Sequence, residues 1–560
     1  MLPLALTACG DGGGSDGNTP PPPSTALTLT GTAATGSAIA GASIVVKCAT
    51  GSGSGTSGTD GTFSISVDGG ALPCALEMRP ASGANLHSVA TGSGSTAKAN
   101  LTPLTELVVA RLAGGDPGVW FAGFDASAAS VATVAAITAA EASVTATLKR
   151  AGIDLSALGD LISVTLKAST STATGDAYDQ ALDQFAAALA AGGTTLATFT
   201  TAITTAAAGT STTASLPPEL LLQPAAANCS ALRSASYRII TPRPGESLAA
   251  QFGRMTINGG TLAVVRADAS TGTLVANGAC RFTDTSGTYN ADLVVSPAGF
   301  LVGRYTTDGT TFRVMFGFPE QTHIVAELAG TWNVMSMTPT GSTHAPASGS
   351  IALSTAGQMN SAVNCENDAT WAIDTCANVP DSVTGLIGPW VPDSDGGFDA
   401  PDAGSATVNT RTFAYVSGSG SMVIATVSAT GFGLWSQPAS IALPTVGAST
   451  ASWNLDLSAD FSLGGATYES TNVVDSVDTT AQSWTRTHGT VGQALTRVET
   501  VFANDPRTGF THRAAGTVIA SDGTTTSVIR EFSMLRLNGI GLSVGVLPEL
   551  KVFEFSPSAP

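Results

Sequence analysis

The residues of this chain that could do chemistry fall into four groups. Gly-x-Ser-x-Gly sets a serine nucleophile on a strand-to-helix elbow in α/β hydrolases, with the acid and then the histidine following in the chain. It occurs twice, at Gly13–Gly17 and at Gly541–Gly545. The first copy lies in a Gly/Ser/Pro-rich run where no elbow can form. The second has no histidine after it, and Pro548 interrupts any following helix. Neither fits that class. The five histidines are His87, His323, His344, His488 and His512, and none has a partner at the His-Glu-x-x-His spacing of a zinc site. His488 and His512, with Asp505, could meet across strands. Asp393, Asp395, Asp399 and Asp402 place four carboxylates on one Gly-rich loop. Calcium takes several oxygen ligands from such a loop, so this is the candidate metal site. It lacks the closing glutamate of an EF-hand, and a solvated acidic loop is the plainer reading. Tryptophans form the last group. Trp332, Trp371, Trp390, Trp435, Trp453 and Trp484 all lie beyond residue 325. Most are expected in cores, but rings on a β surface can also form a binding patch. Trp390, after Gly388-Pro389, is expected to be exposed and is the candidate ligand-binding ring.

The elements that must position these groups are mostly strands. Ile44, Val46 and Cys48 alternate, as do Phe63, Ile65 and Val67, and then Cys74, Leu76 and Met78. Period-two alternation puts each set on one face of a strand. Gly41-Ala42-x-Ile44-x-Val46, followed by Thr59-Asp60-Gly61-x-Phe63-Ser64-Ile65, resembles the carboxypeptidase regulatory-like (transthyretin-like) sandwich. The resemblance implies a β-sandwich over 26–101 with an accessory or adhesive role and no catalytic site of its own. At Thr102-Pro103 the pattern changes to a helix start, with Gly114-Gly115 as its stop. Val134, Ile137, Val144 and Leu148 fall on one helical stripe, and Tyr178, Leu182, Phe185 and Leu189 on another. Residues 102–208 therefore read as a small helical domain, and 209–227, with Leu216-Pro217-Pro218, as a linker.

From residue 228 the chain reads as strands and turns, with Asn258-Gly259, Asp308-Gly309 and Asp522-Gly523 among the turn signals. Two openings look related. Leu232 runs to Tyr237 and closes at Thr241-Pro242, and Leu328 runs to Trp332 and closes at Thr338-Pro339. Gly330-Thr331-Trp332 is similar to the strand that opens lipocalin-like barrels. The expectation is an antiparallel β unit over 228–325 and a larger one over 326–560, barrel-like or sandwich-like. The fold class is thus multidomain and mainly β.

The start of the chain carries an address. Leu6-Thr7-Ala8-Cys9 resembles the lipobox of Gram-negative lipoproteins, in which the cysteine is acylated after cleavage. The resemblance implies residues 1–8 as a truncated signal peptide, Cys9 as the lipidation site and 9–25 as a tether. It places the protein at the outer membrane, periplasmic or surface-exposed. The Gly/Pro-rich tether buries too little to order itself. Setting Cys9 aside leaves six cysteines, and an even number in an exported chain reads as disulfides. Cys48 with Cys74, Cys229 with Cys280 and Cys365 with Cys376 are the neighbouring pairs, with free buried thiols as the alternative. Charged residues make up 11% of the chain, against about 25% in ordinary domains. The net charge is −18 with no basic cluster, which argues against a nucleic-acid partner. Function then reads as a non-enzymatic ligand-binding or envelope-assembly protein, its partners a membrane and an envelope or extracellular ligand. No cofactor is expected beyond the possible calcium. The rival is a hydrolase on glycans or polyesters with its site in 326–560. Paired carboxylates for glycoside cleavage would have to face each other at about 5–9 Å.

Overall fold

The computed structural model describes residues 26–208, 213–243, 245–286, 289–340, 343–366, 373–380, 389–401, 408–458, 463 and 468–558. Cys9, Trp371 and Asp402, and with them the lipobox and the first Gly-x-Ser-x-Gly, lie outside the described residues. The chain divides into two compact units, one of residues up to 142 with 156–183, the other of 143–155 with 184 onward.

The first unit opens with a two-sheet sandwich. Strand Leu27–Thr32 sits between Thr62–Val67 and Thr96–Lys98, and Ser43–Thr50 pairs with Ser52–Thr56 and Ala71–Arg79. The alternating residues form its core: Ile44, Val46, Ile65 and Val67 are all at most 2% exposed. Gly61 has φ +79°, and a Cβ there would meet the Ala33 carbonyl at 2.5 Å, so the Thr59-Asp60-Gly61 turn requires glycine. Cys48 faces Cys74 across neighbouring strands and the two are bonded. Helix Pro103–Ala113 begins on a capping box in which the Thr102 and Thr105 side chains exchange bonds with each other's backbone N–H. It ends at Gly114 in the left-handed conformation. In the later helices Ile137, Val144 and Leu148 are buried, as are Tyr178, Leu182 and Phe185. Val134, expected on the buried stripe, is 61% exposed at the first residue of its helix. No single helix among the described residues is long and apolar enough to cross a membrane.

The second unit holds three antiparallel meanders in succession. The first spans Ala235–Ile240 to Arg313–Pro319 and the second Gly330–Thr340 to Phe432–Ser436, each a nine-stranded sheet. Numbered from its own first strand, each sheet has the same order: fourth, third, second, first, ninth, eighth, seventh, sixth, fifth. In both, the first strand pairs with the last. The edges of the first sheet, Thr271–Thr273 and Val275–Ala276, are separated only by Leu274, so that sheet curls until its ends nearly meet. The third meander, Ser449–Leu457 to Val552–Pro557, again pairs first strand with last and closes into an eight-stranded barrel.

The two related openings in the sequence are the first strands of the two sheets, and they share a device. The Tyr237 hydroxyl donates to the Arg233 carbonyl at 2.9 Å, and Trp332 Nε1 donates to the Leu328 carbonyl at 2.9 Å. In each case a fully buried aromatic satisfies its polar tip on the backbone four residues earlier. Bonds Cys229–Cys280 and Cys365–Cys376 lie within the first and second sheet regions. One face of each meander contributes to a common apolar core. Phe300 and Phe316, Met335 and Phe432, and Leu455 and Phe553 come from the three in turn.

Candidate functional site

Strands put alternate side chains on opposite faces, so each meander has an inner and an outer set. In the first two sheets the set facing away from the common core is itself apolar. Tyr237, Met255, Ile257, Phe282 and Leu293 pack together in the first, and Trp332, Leu353, Phe398, Ile424 and Trp435 in the second.

The closed barrel reverses this. Trp453, Leu455, Leu535, Val544, Phe553 and Phe555 of its outer set join the common core. Val473 and Val498 of the same set are solvent-exposed. Its inner set is polar: Ser452, Asn454 and Asp456 on one strand, Arg486 and His488 on another, then Arg497 and Glu499, then Glu554 and Ser556. The cross-strand register carries this set around the wall. Ser452 faces Ser470, Asn472 faces His488, Arg486 faces Glu499, Arg513 faces Phe532, Met534 faces Gly545, and Asp456 faces Glu554. Most of these residues line two adjoining cavities, of about 460 Å³ and about 120 Å³, that share Ser452, Asn472, Arg486, Arg513, Phe532, Met534 and Ser556. The Phe532 ring lies against Gly545, where any Cβ would collide with it.

A charged layer crosses the lumen. The Glu499 side chain is fully buried and accepts from Arg486 Nη2 at 3.0 Å, Arg497 Nε at 2.8 Å and Arg513 Nη1 at 3.0 Å. Burial pushes its carboxyl up, but Arg513, Arg486, His488 and Arg497 together outweigh this and hold it down at about 2. His488, desolvated beside the same guanidinium groups, is pushed down to about 4 and is neutral at pH 7; its Nδ1 lies 3.0 Å from the Asn472 amide oxygen. Below this layer Asp456 and Glu554 face each other. Burial, then the charge and hydrogen bond of Glu554, push Asp456 up to about 7. The Tyr468 hydroxyl donates to Glu554 Oε2 at 2.8 Å, and Ser556 Oγ donates to Glu554 Oε1 at 2.6 Å. Asp456 Oδ1 is buried without a donor. The wider cavity carries Arg536, which has no ion-pair or hydrogen-bond partner among the described residues. Beside it Trp484, Val501, Phe532 and Met534 supply an apolar wall. The lumen thus offers positive charge, exchangeable protons and apolar surface along two adjoining cavities.

The residues singled out in the sequence lie elsewhere. Asp393 and Asp399 both bind Arg411, at 2.6 Å each, and the Asp395 carbonyl accepts from Arg238 and Arg254. The loop is thus neutralised by guanidinium groups, with Arg411 stacked over Phe252 and Arg238 over Phe413. Among the described residues no group of three or more His, Cys, Asp or Glu is placed to hold a metal ion. Trp390, expected on the surface, is 4% exposed: its ring packs on Trp435 and Phe398 in the interior of the second sheet. His512 does meet Asp505, Nδ1 to Oδ2 at 2.9 Å, while its Nε2 lies 3.1 Å from Glu531; His488 is not with them. Ser543 sits in mid-strand on the lumen wall and on no strand-to-helix elbow. The alternating polar residues between 452 and 556 were the signal for the lumen, but alternation alone does not distinguish a lumen from a solvent face.

No family model and no curated protein matches the chain, so the regulatory-like and lipocalin-like resemblances rest on the residues alone. Among solved structures the chain is similar to a DUF3598-family protein of unknown function from Nostoc punctiforme, at 12% identity over 43% of this chain and 100% of that one, with a TM-score of 0.15. It is also similar to isotype 1 transferrin binding protein B from serogroup B Neisseria meningitidis, at 10% identity over 55% of this chain and 63% of that one, with a TM-score of 0.17. A transferrin binding protein B double mutant from Haemophilus parasuis gives 8% identity, 58% and 76% coverage, and a TM-score of 0.13. TM-scores this low establish no shared fold.

Proposed function

We propose that this chain is an exported, envelope-anchored protein that binds a small molecule in the lumen of its C-terminal barrel. One observation carries the reading: the third meander closes into a barrel whose inner wall, with alternate polar side chains and an apolar patch, lines two adjoining cavities, the wider of about 460 Å³. Protein interiors pack densely, because an unfilled void forfeits dispersion contacts and a buried charged layer incurs a desolvation cost. A ligand occupying the lumen would offset both. The envelope part rests on Leu6-Thr7-Ala8-Cys9 and on three disulfides, which suit an oxidising compartment.

The test is a thermal-shift screen of small polar and amphipathic compounds on the full chain, run in parallel on Ser543→Trp and Thr450→Trp, which fill the wider cavity from two sides. A ligand at 100 times its Kd stabilises by about 2.7 kcal/mol. The expected result is a set of compounds that stabilise the wild type and leave both filled variants unchanged. Stabilisation that survives filling would place binding elsewhere. For the anchor, membrane fractionation and intact mass of wild type and Cys9→Ser should differ by diacylglyceryl modification and partitioning; identical behaviour removes the anchored reading.

A further inference from the structure

The lumen's charge is opposite in sign to the chain's. The molecule carries −18, yet among the described lumen residues four guanidinium groups, Arg486, Arg497, Arg513 and Arg536, face three carboxyl groups, Glu499, Asp456 and Glu554. Glu499 serves Arg486, Arg497 and Arg513 at once. Glu554, which faces Asp456, accepts from Tyr468 and Ser556. The Asp456–Glu554 pair makes no bond to any of the four guanidinium groups. An excess of positive charge is therefore left on the wall, and its one unpartnered member, Arg536, stands in the wider cavity. Arg536 is solvent-exposed where it lines the cavity, and its planar guanidinium fork matches a carboxylate, sulfonate or phosphate. The cavity it faces has Trp484, Phe532 and Met534 on its walls, which an inorganic anion would leave unused.

We infer that the ligand of the barrel is an organic anion, its acidic group on Arg536 and its apolar body against Trp484, Phe532 and Met534. This rests on the lumen being a binding site. Within the cavity a neutral analogue of the same shape forgoes the guanidinium.

The experiment titrates the full chain with 1-naphthoate and with 1-naphthamide, two molecules of nearly the same shape that differ in charge, reading Trp484 fluorescence against Trp484→Phe and heat by calorimetry. The expected result is a preference for naphthoate of at least tenfold in wild type, falling to near unity in Arg536→Gln and partly restored in Arg536→Lys. Arg536 has no partner to abandon, so its replacement leaves the pairs around Glu499 intact. If both probes bind alike and Ser543→Trp abolishes both, the lumen is a binding site and the anion inference is overturned. If neither binds, or binding ignores Ser543→Trp, the lumen reading falls and takes the inference with it.

Discussion

Glu499 shows how a single residue can hold a barrel wall together from inside. A buried carboxylate is costly alone, and three guanidinium groups around it are costly without it. Removing the one negative charge strands all three, so Glu499→Gln should destabilise the barrel by about 3–5 kcal/mol, read as the shift of the denaturation midpoint followed by Trp484 fluorescence. Arg497→Gln, whose side chain is 31% exposed, should cost no more than about 1 kcal/mol. Equal costs would mean that the layer is not organised on Glu499. A second buried triad, in the sandwich unit, works in the opposite sense of charge. His87 is 4% exposed with Nδ1 at 2.8 Å from Glu106 and Nε2 at 3.4 Å from Glu77. Burial alone would lower its pKa, but the hydrogen bond and charge of Glu106, then of Glu77, outweigh it and the pKa is raised. A histidine with a raised folded pKa stabilises fully below its unfolded value of about 6.5 and loses that contribution as pH rises through the folded one. Wild type should therefore exceed His87→Gln in stability most at pH 5–6, the gap closing toward pH 9. A gap that is flat with pH would assign His87 to packing alone.

At the scale of elements, the opening strand of each nine-stranded sheet is pinned by its aromatic tip. Tyr237→Phe and Trp332→Phe each leave a buried carbonyl, of Arg233 or Leu328, without its donor. Each should cost about 1–3 kcal/mol, and because the two sites share no partner the double variant should be additive within about 0.5 kcal/mol in chemical denaturation. The disulfides should rank by the loop they close. Opening Cys229–Cys280, with a separation of 51 residues, should cost more than opening Cys48–Cys74, with 26, and that more than Cys365–Cys376, with 11. Paired Cys→Ala variants compared by melting temperature check the order. These are the features that the sequence made legible, since an even set of cysteines pairing with their neighbours in the chain and aromatics at matching offsets leave a one-dimensional trace. The lumen did not. Ser452, Asn454 and Asp456 alternate with Trp453, Leu455 and Leu457 as they would on any half-exposed strand. What makes the polar side an interior is the pairing of Leu455 with Phe555, a closure between strands about a hundred residues apart. Trp390 misled for a related reason: Gly388-Pro389 suggests a surface turn, but the ring that follows is drawn into the second sheet by Trp435 and Phe398.

At the scale of the whole second unit, the three meanders are one folding problem, although their topology makes each look self-contained. The barrel's outer wall is apolar where it joins the common core: Phe553 lies 5.0 Å from Phe432 of the second sheet, and Phe555 lies 5.5 Å from Phe316 of the first. Its lumen, filled with charge and space, supplies little of the apolar burial that stabilises a small domain. Each large apolar side chain buried on that outer wall is worth about 1.5–3 kcal/mol, and Trp453, Leu455, Leu535, Val544, Val546, Phe553 and Phe555 would all face water if the sheets were absent. A fragment of residues 438–560 should therefore fail to form the barrel, binding a hydrophobic dye and lacking near-ultraviolet dichroism, even though all eight strands of the ring are within it. In the intact chain the barrel and the two sheets should share one opening free energy, seen as a common ceiling of protection in native-state hydrogen exchange across Leu535, Phe316 and Met335. A fragment that folds alone with an intact lumen would show that the charged layer stabilises the barrel by itself. The common core would then be a docking surface between finished domains.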